Sequence, residues 1–146
     1  DILTEPADID TRRRLQEGAL LGGLAISCTA TALAHSISYP LTSRLGMPHG
    51  LACSFTLPEM IRFNAEADSE RAQLLASALC AESPLDGAAK LAESYARWGV
   101  PGHVRKYLDA DKARGMKEHL LTPGRADNNI RPAGNDDALG IVIRSL

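Results

Sequence analysis

The chain has 146 residues, of which 45% are apolar and 23% charged, and its net charge is −2. That length suits one compact domain with its own core, and the composition is ordinary for a soluble globular chain. No basic field marks a nucleic-acid partner or an acidic membrane.

In chain order, PADIDTRRRLQEGALLGGLAISCTATALAHSIS, residues 6–38, reads as one long helix. Asp8 or Asp10 caps it, and acidic residues suit its first turn. Arg12, Arg13 and Arg14 lie between Asp10 and Glu17 and read as a solvated turn. The helix is amphipathic at first and then apolar nearly all round, as expected of a central core helix. No Asp, Glu, Lys or Arg occurs from Gly18 to Ser43. A signal peptide or membrane helix would also show such a run. The acidic leader and the interspersed Gly22, Gly23, Ser27, Thr29 and Thr31 favour a buried helix packed through small residues. The chain starts at Asp1 rather than methionine, which fits a fragment, a processed product or an isolated domain.

Pro40 is expected to stop or kink this helix, because its nitrogen cannot donate to the carbonyl of Ser36. PLTSRLG then forms a short turn with Gly46 as its C-terminal cap. HGLACSFTLPEMIRFNAEA reads as an apolar helix broken or bent at Pro58. DSERAQLLASALC begins with a capping residue. SPLDGAAKLAESYARWGV begins with a capping serine and a proline at the first helical position. GHVRKYLDADKARGMKEHLLT supplies one or two shorter helices, PGRADNNIRPAGN a polar loop, and DDALGIVIRSL a terminal helix. The expected architecture is an all-α helical bundle, with residues 1–146 as a single helical domain.

Cys28, Cys53 and Cys80 are odd in number and form no CxxC pair, which argues against a disulfide framework or a thiolate zinc site. Cys28 and Cys53 have apolar neighbours and read as small core residues. A reducing, cytoplasmic setting fits. His103 and His119 read as surface residues, and Asp109, Asp111, Asp136 and Asp137 as caps and solvated charges.

His35 and His49 stand fourteen positions apart. On one continuous helix that spacing would separate them by roughly 21 Å. Two ligands of one metal lie within roughly 3–4 Å of each other, because each metal–nitrogen bond is about 2 Å long. A shared metal therefore requires the chain to reverse between them. Pro40, Gly46 and Pro48 provide the breaks, with His35 ending one helix and His49 beginning the next. By themselves, two histidines flanking a turn are more often structural, and no carboxylate lies between them to complete a site.

HSISYPLTSRLGMPHGLACSFTLPEMIRFN resembles the signature of the iron-containing, or group III, alcohol dehydrogenases. The matching residues are His35, Pro48, His49, Gly50, Leu57, Pro58 and Asn64. GGLAISCTATALAH and PGRADNNIRPA resemble the preceding helix and the late loop of that family. The resemblance implies the C-terminal helical part of a two-domain, NAD- or NADP-dependent alcohol dehydrogenase or aldehyde reductase. It implies a divalent metal, Fe2+ or Zn2+, held by an aspartate and three histidines. Only the last two ligands, His35 and His49, match here, so weak metal binding by this chain alone is expected. The nucleotide would be bound mainly by an N-terminal domain absent from this chain. Ile26 and Tyr39 fall at positions lining the cofactor cavity in relatives, and Tyr39 replaces a histidine that many members carry. The resemblance further implies a small alcohol or aldehyde as substrate and a homo-oligomeric parent.

LAHSISYPLT with PHGLACSFTLP is similar to a subset of that family associated with phosphonate metabolism, whose expected substrate is phosphonoacetaldehyde. Arg44 is the charged residue between the two histidines and is the expected partner of such an anion. The rival readings are a catalytically inactive helical domain or truncated paralogue, and a dehydratase-like helical enzyme using other residues.

Overall fold

The computed structural model describes residues 4–146, and Asp1, Ile2 and Leu3 of the acidic leader lie outside the described residues. Among those residues every regular element is helical, as the all-α expectation required. Contacts within the chain group it into two units, one ending at Ala30 and the other running from Thr31 to Leu146.

The first unit carries α1, Ile9–Cys28. Asp8 caps it, its carboxylate accepting from the Thr11 amide at 2.8 Å. Arg13 pairs with Asp10 and Glu17 along the exposed face, the solvated turn expected there. The expected core helix is corrected in two respects. The helix stops at Cys28, where the Thr29 hydroxyl and amide both donate to the Ala25 carbonyl and the chain turns extended. A threonine side chain offers the backbone this alternative to another helical turn. Nor does α1 bury any residue, and Leu20, Leu21 and Leu24 are all more than half exposed. Among the described residues it is the only helix of its unit, which therefore shows no second layer over its apolar face. Cys28, expected in a core, is exposed for the same reason. No single helix among the described residues is long and apolar enough to cross a membrane.

The second unit begins with α2, Leu33–Leu45. Pro40 lies inside α2 and does not end it, so of the expected stop or kink the stop is corrected. An interior proline costs about 3 kcal/mol. Here Leu33, Ile37 and Leu41 on the same helix are fully buried, and that packing holds the helix together across the lost bond. Gly46 ends α2 in the left-handed conformation at φ 67°, donating its amide back to Leu41 and Thr42. Met47 is buried beneath the reversal, and α3, His49–Ser54, packs back against α2.

The expected break at Pro58 separates α3 from α4, Leu57–Asn64, with the proline in the first turn of α4. Then follow α5, Ser69–Ala78, capped by Asp68, and α6, Pro84–Arg97, capped by Ser83. α7, Val100–Val104, starts from Gly99 at φ 72°, and α8, Ala110–Gly115, is capped by Asp109. A 3-10 turn at Lys117–His119 leads into the polar loop, and α9, Asn135–Arg144, closes the chain. α4 packs on α6 and α9, and α8 on α9. Ile37, Leu41, Phe55, Leu108, Leu120 and Ile141 sit in the common core.

Polar bonds tie the late loop to this bundle. Asn129 donates to the Asn64 side chain at 2.9 Å, and the Arg131 guanidinium donates to the Phe63 carbonyl at 3.1 Å while lying over the Phe63 ring.

Candidate metal centre

His35 is the third residue of α2, not the end of a helix as expected from the sequence. His49 is the first residue of α3. The reversal through Gly46, Met47 and Pro48 brings the two imidazoles edge to face, with ring centroids 5.8 Å apart. Cys53 lies one turn beyond His49 on the same helix, its Sγ 3.5 Å from His49 Nε2. One donor atom from each of His35, His49 and Cys53 lies within 4.8 Å of the other two. The thiol escapes a reading of the sequence that treats apolar-flanked cysteines as core. Its four-residue offset from His49 was the available signal.

His35 and Cys53 are half-buried and His49 is exposed, so the cluster faces outward at one side of the second unit. Burial lowers the pKa of His35 below its ordinary value of 6.5, and the neighbouring His49 lowers it further. Both effects favour the neutral ring, which is the ligating form. The donor set suits a divalent transition metal. Imidazole and thiolate are its usual nitrogen and sulfur ligands, and a tetrahedral shell spaces them by about 3.3–3.6 Å.

Tyr39, one turn after His35, stacks on the His49 ring at 6.2 Å between centroids and 22° between planes. On its other contact, the Arg125 guanidinium lies 5.5 Å from the Tyr39 ring centroid. Arg125 comes from the polar loop, and sequence reasoning passes over it. Arg44 is exposed and lines a cleft of about 410 Å³ with Tyr39, Glu118, His119 and Thr122. Tyr39 thus belongs both to this cleft and to the histidine cluster. Ile26 lies on α1, in the first unit, and is 51% exposed.

The chain matches the family described as Fe-containing alcohol dehydrogenase, C-terminal, over residues 1–142. It belongs to the iron-containing alcohol dehydrogenases. It is 28% identical to the 1,3-propanediol dehydrogenase of Klebsiella pneumoniae, over 94% of this chain and 38% of that protein. It is 47% identical to the phosphonoacetaldehyde reductase of Streptomyces viridochromogenes over 39% of this chain and 14% of that protein. A crystal structure of a 1,3-propanediol oxidoreductase superposes with a TM-score of 0.59 at 26% identity, over 79% of this chain and 32% of that chain. The chain thus spans 38% of the length of the Klebsiella relative. The all-helical fold agrees with membership in this family.

Proposed function

We propose that this chain is the metal-binding part of an NAD(P)-linked alcohol dehydrogenase or aldehyde reductase, with residues 1–146 working as one helical domain. The observation that carries the reading is the convergence of His35 and His49 from two helices, 5.8 Å apart between ring centroids. The family match over residues 1–142 supports the reaction class.

His35 and His49 hold the metal through neutral imidazole nitrogens. A metal held there would supply Lewis-acid polarisation of the substrate oxygen, and a bound nicotinamide would supply the hydride chemistry. The chain's own residues orient these partners. The half-buried His35 resists protonation, so its nitrogen stays available near neutral pH. Tyr39 stacks on the His49 ring and lines the adjoining cleft. NAD and NADP are both compatible with this role, as are iron and zinc.

For substrate, we propose an aldehyde bearing an anionic group, with phosphonoacetaldehyde as the specific case. Arg44 in the cleft beside Tyr39 is the residue assigned to the phosphonate. The likeness to the Streptomyces phosphonoacetaldehyde reductase supports this choice. The test uses the full-length protein with phosphonoacetaldehyde and an uncharged aldehyde of similar size. The expected result is faster reduction of the phosphonate by the wild type, a preference weakened in Arg44→Ala, and loss of both activities in His35→Ala and His49→Ala. Equal rates for the two aldehydes would overturn the substrate, and undiminished activity in both histidine variants would overturn the metal role.

A further inference from the structure

We propose that Arg125 is a specificity-determining residue which, with Arg44, holds the anionic end of the aldehyde. This rests on the reading of the substrate as an anionic aldehyde reduced beside His35 and His49. Arg125 sits in a turn whose place is fixed. Its amide donates to the Thr122 carbonyl at 3.0 Å, across Pro123 and Gly124. Gly124 has a φ of 76°, and a proline followed by a left-handed glycine is the pattern of a type II turn. The Thr122 amide donates in turn to the Oγ of Ser36, the residue next to His35, at 2.8 Å. The turn is therefore tied to the helix that carries one candidate ligand.

From that turn the Arg125 guanidinium lies 5.5 Å from the Tyr39 ring centroid, and Tyr39 stacks on His49 at 6.2 Å. Arg125 thus stands one aromatic ring away from the second candidate ligand. A two-carbon aldehyde phosphonate has the length for such a step. Its carbonyl oxygen and phosphorus lie roughly 4 Å apart. A metal–oxygen bond of about 2 Å and a guanidinium–oxygen contact of about 2.8 Å extend that reach at its two ends.

Charge gives a second, independent argument. A phosphonate resembles a phosphate monoester, which carries about −1.5 to −2 charge near neutral pH, so one guanidinium offsets only about half of it. Arg125 lies against Tyr39, Arg44 shares a cleft with that tyrosine, and both arginines are exposed. Among the described residues neither forms an ion pair with a carboxylate. Glu118, the carboxylate of the cleft, accepts from Asn135 at 2.9 Å. The competing role for Arg125 is structural support of the Tyr39 ring.

The experiment compares kcat/KM for phosphonoacetaldehyde and for an uncharged aldehyde of similar size in the full-length protein. The ratio of the two is expected to fall by about 10- to 100-fold in Arg125→Gln, mainly through KM for the phosphonate. Arg125→Lys keeps the charge and should retain more of the ratio than Arg125→Gln. A second readout needs no turnover: ethylphosphonate binding, followed by calorimetry, should weaken by a similar factor in Arg125→Gln. A ratio that stays at the wild-type value, even if both rates fall together, overturns the role of Arg125 and leaves the substrate reading standing. Unchanged ethylphosphonate binding in Arg125→Gln, or equal losses in the Lys and Gln variants, overturns it equally. A wild type without preference for the phosphonate overturns both.

Discussion

Ser36 bridges α2 to the segment that follows the 3-10 turn: the Thr122 amide donates to its Oγ at 2.8 Å, and that hydroxyl donates to the Leu120 carbonyl at 3.2 Å. Ser36 is fully buried and directly follows His35. The bond therefore fixes the helix that carries one candidate ligand. Ser36→Ala leaves the Leu120 carbonyl and Thr122 amide without this partner and is expected to destabilise the fold by about 1–3 kcal/mol. Urea denaturation checks this, with Ser38→Ala as the comparison. Ser38 donates to the His35 carbonyl within its own helix. A smaller loss in Ser36→Ala than in Ser38→Ala would contradict the bridge.

Gly46 allows the reversal between the two histidines because its φ of 67° is unfavourable for a residue with a Cβ. No neighbour lies within 4 Å of a Cβ built there, so the cost of Gly46→Ala is backbone strain alone. It is expected to be about 1–2 kcal/mol. Gly50, inside α3, also has open space around it, and its φ is not positive. Gly50→Ala is expected to be neutral or to stabilise by up to about 1 kcal/mol. Thermal melts of the two variants should move in different directions or differ clearly in size.

Glu59 joins α4 to α9. Its side chain is 12% exposed and accepts from Arg144 at 2.8 Å while also pairing with Arg62 on its own helix. Arg144→Ala is expected to cost no more than about 1 kcal/mol, because the arginine is 57% exposed and solvent screens the pair. Glu59→Ala should cost more than Arg144→Ala, since it leaves both guanidiniums without their carboxylate. A double-mutant cycle measures the coupling, and a cycle showing no coupling would remove the link between the helices.

Asp86, in the first turn of α6, has its pKa lowered from the ordinary 3.8, chiefly by the Glu82 amide that donates to it and then by Lys90. The unfolded carboxyl binds its proton at higher pH than the folded one. Its contribution is therefore complete above the ordinary carboxylate value and is lost as pH falls through the depressed folded value. Asp86→Asn should flatten the acid limb of a stability–pH profile in that window and leave its slope near neutrality unchanged. An unaltered acid limb would count against the assignment.

Much of the fold was legible locally. Asp68, Ser83 and Asp109 cap the helices that their positions announced, because a cap needs only a side-chain oxygen beside its own backbone amides. Gly46 ends its helix for an equally local reason. The errors came where local and tertiary preferences compete. Pro40 argues for a break by itself, yet α2 runs through it on the strength of core packing. The apolar run after Gly18 predicts burial, but α1 has no neighbouring layer within its unit and leaves its leucines exposed.

The helical character of the chain, the places of its caps, and the signature that His35 and His49 share with the iron-containing alcohol dehydrogenases are readable from the residue order. These properties follow from spacing, backbone chemistry and motif, which a linear string displays. The folded chain alone reveals that Cys53 stands beside His49, that Tyr39 stacks on that ring, and that Arg125 arrives from a loop far along the chain. Such contacts depend on how one helix turns back on another and on where a distant loop lands. Those placements follow from burial of the shared core, which acts on the whole second unit at once and leaves no mark at any single position.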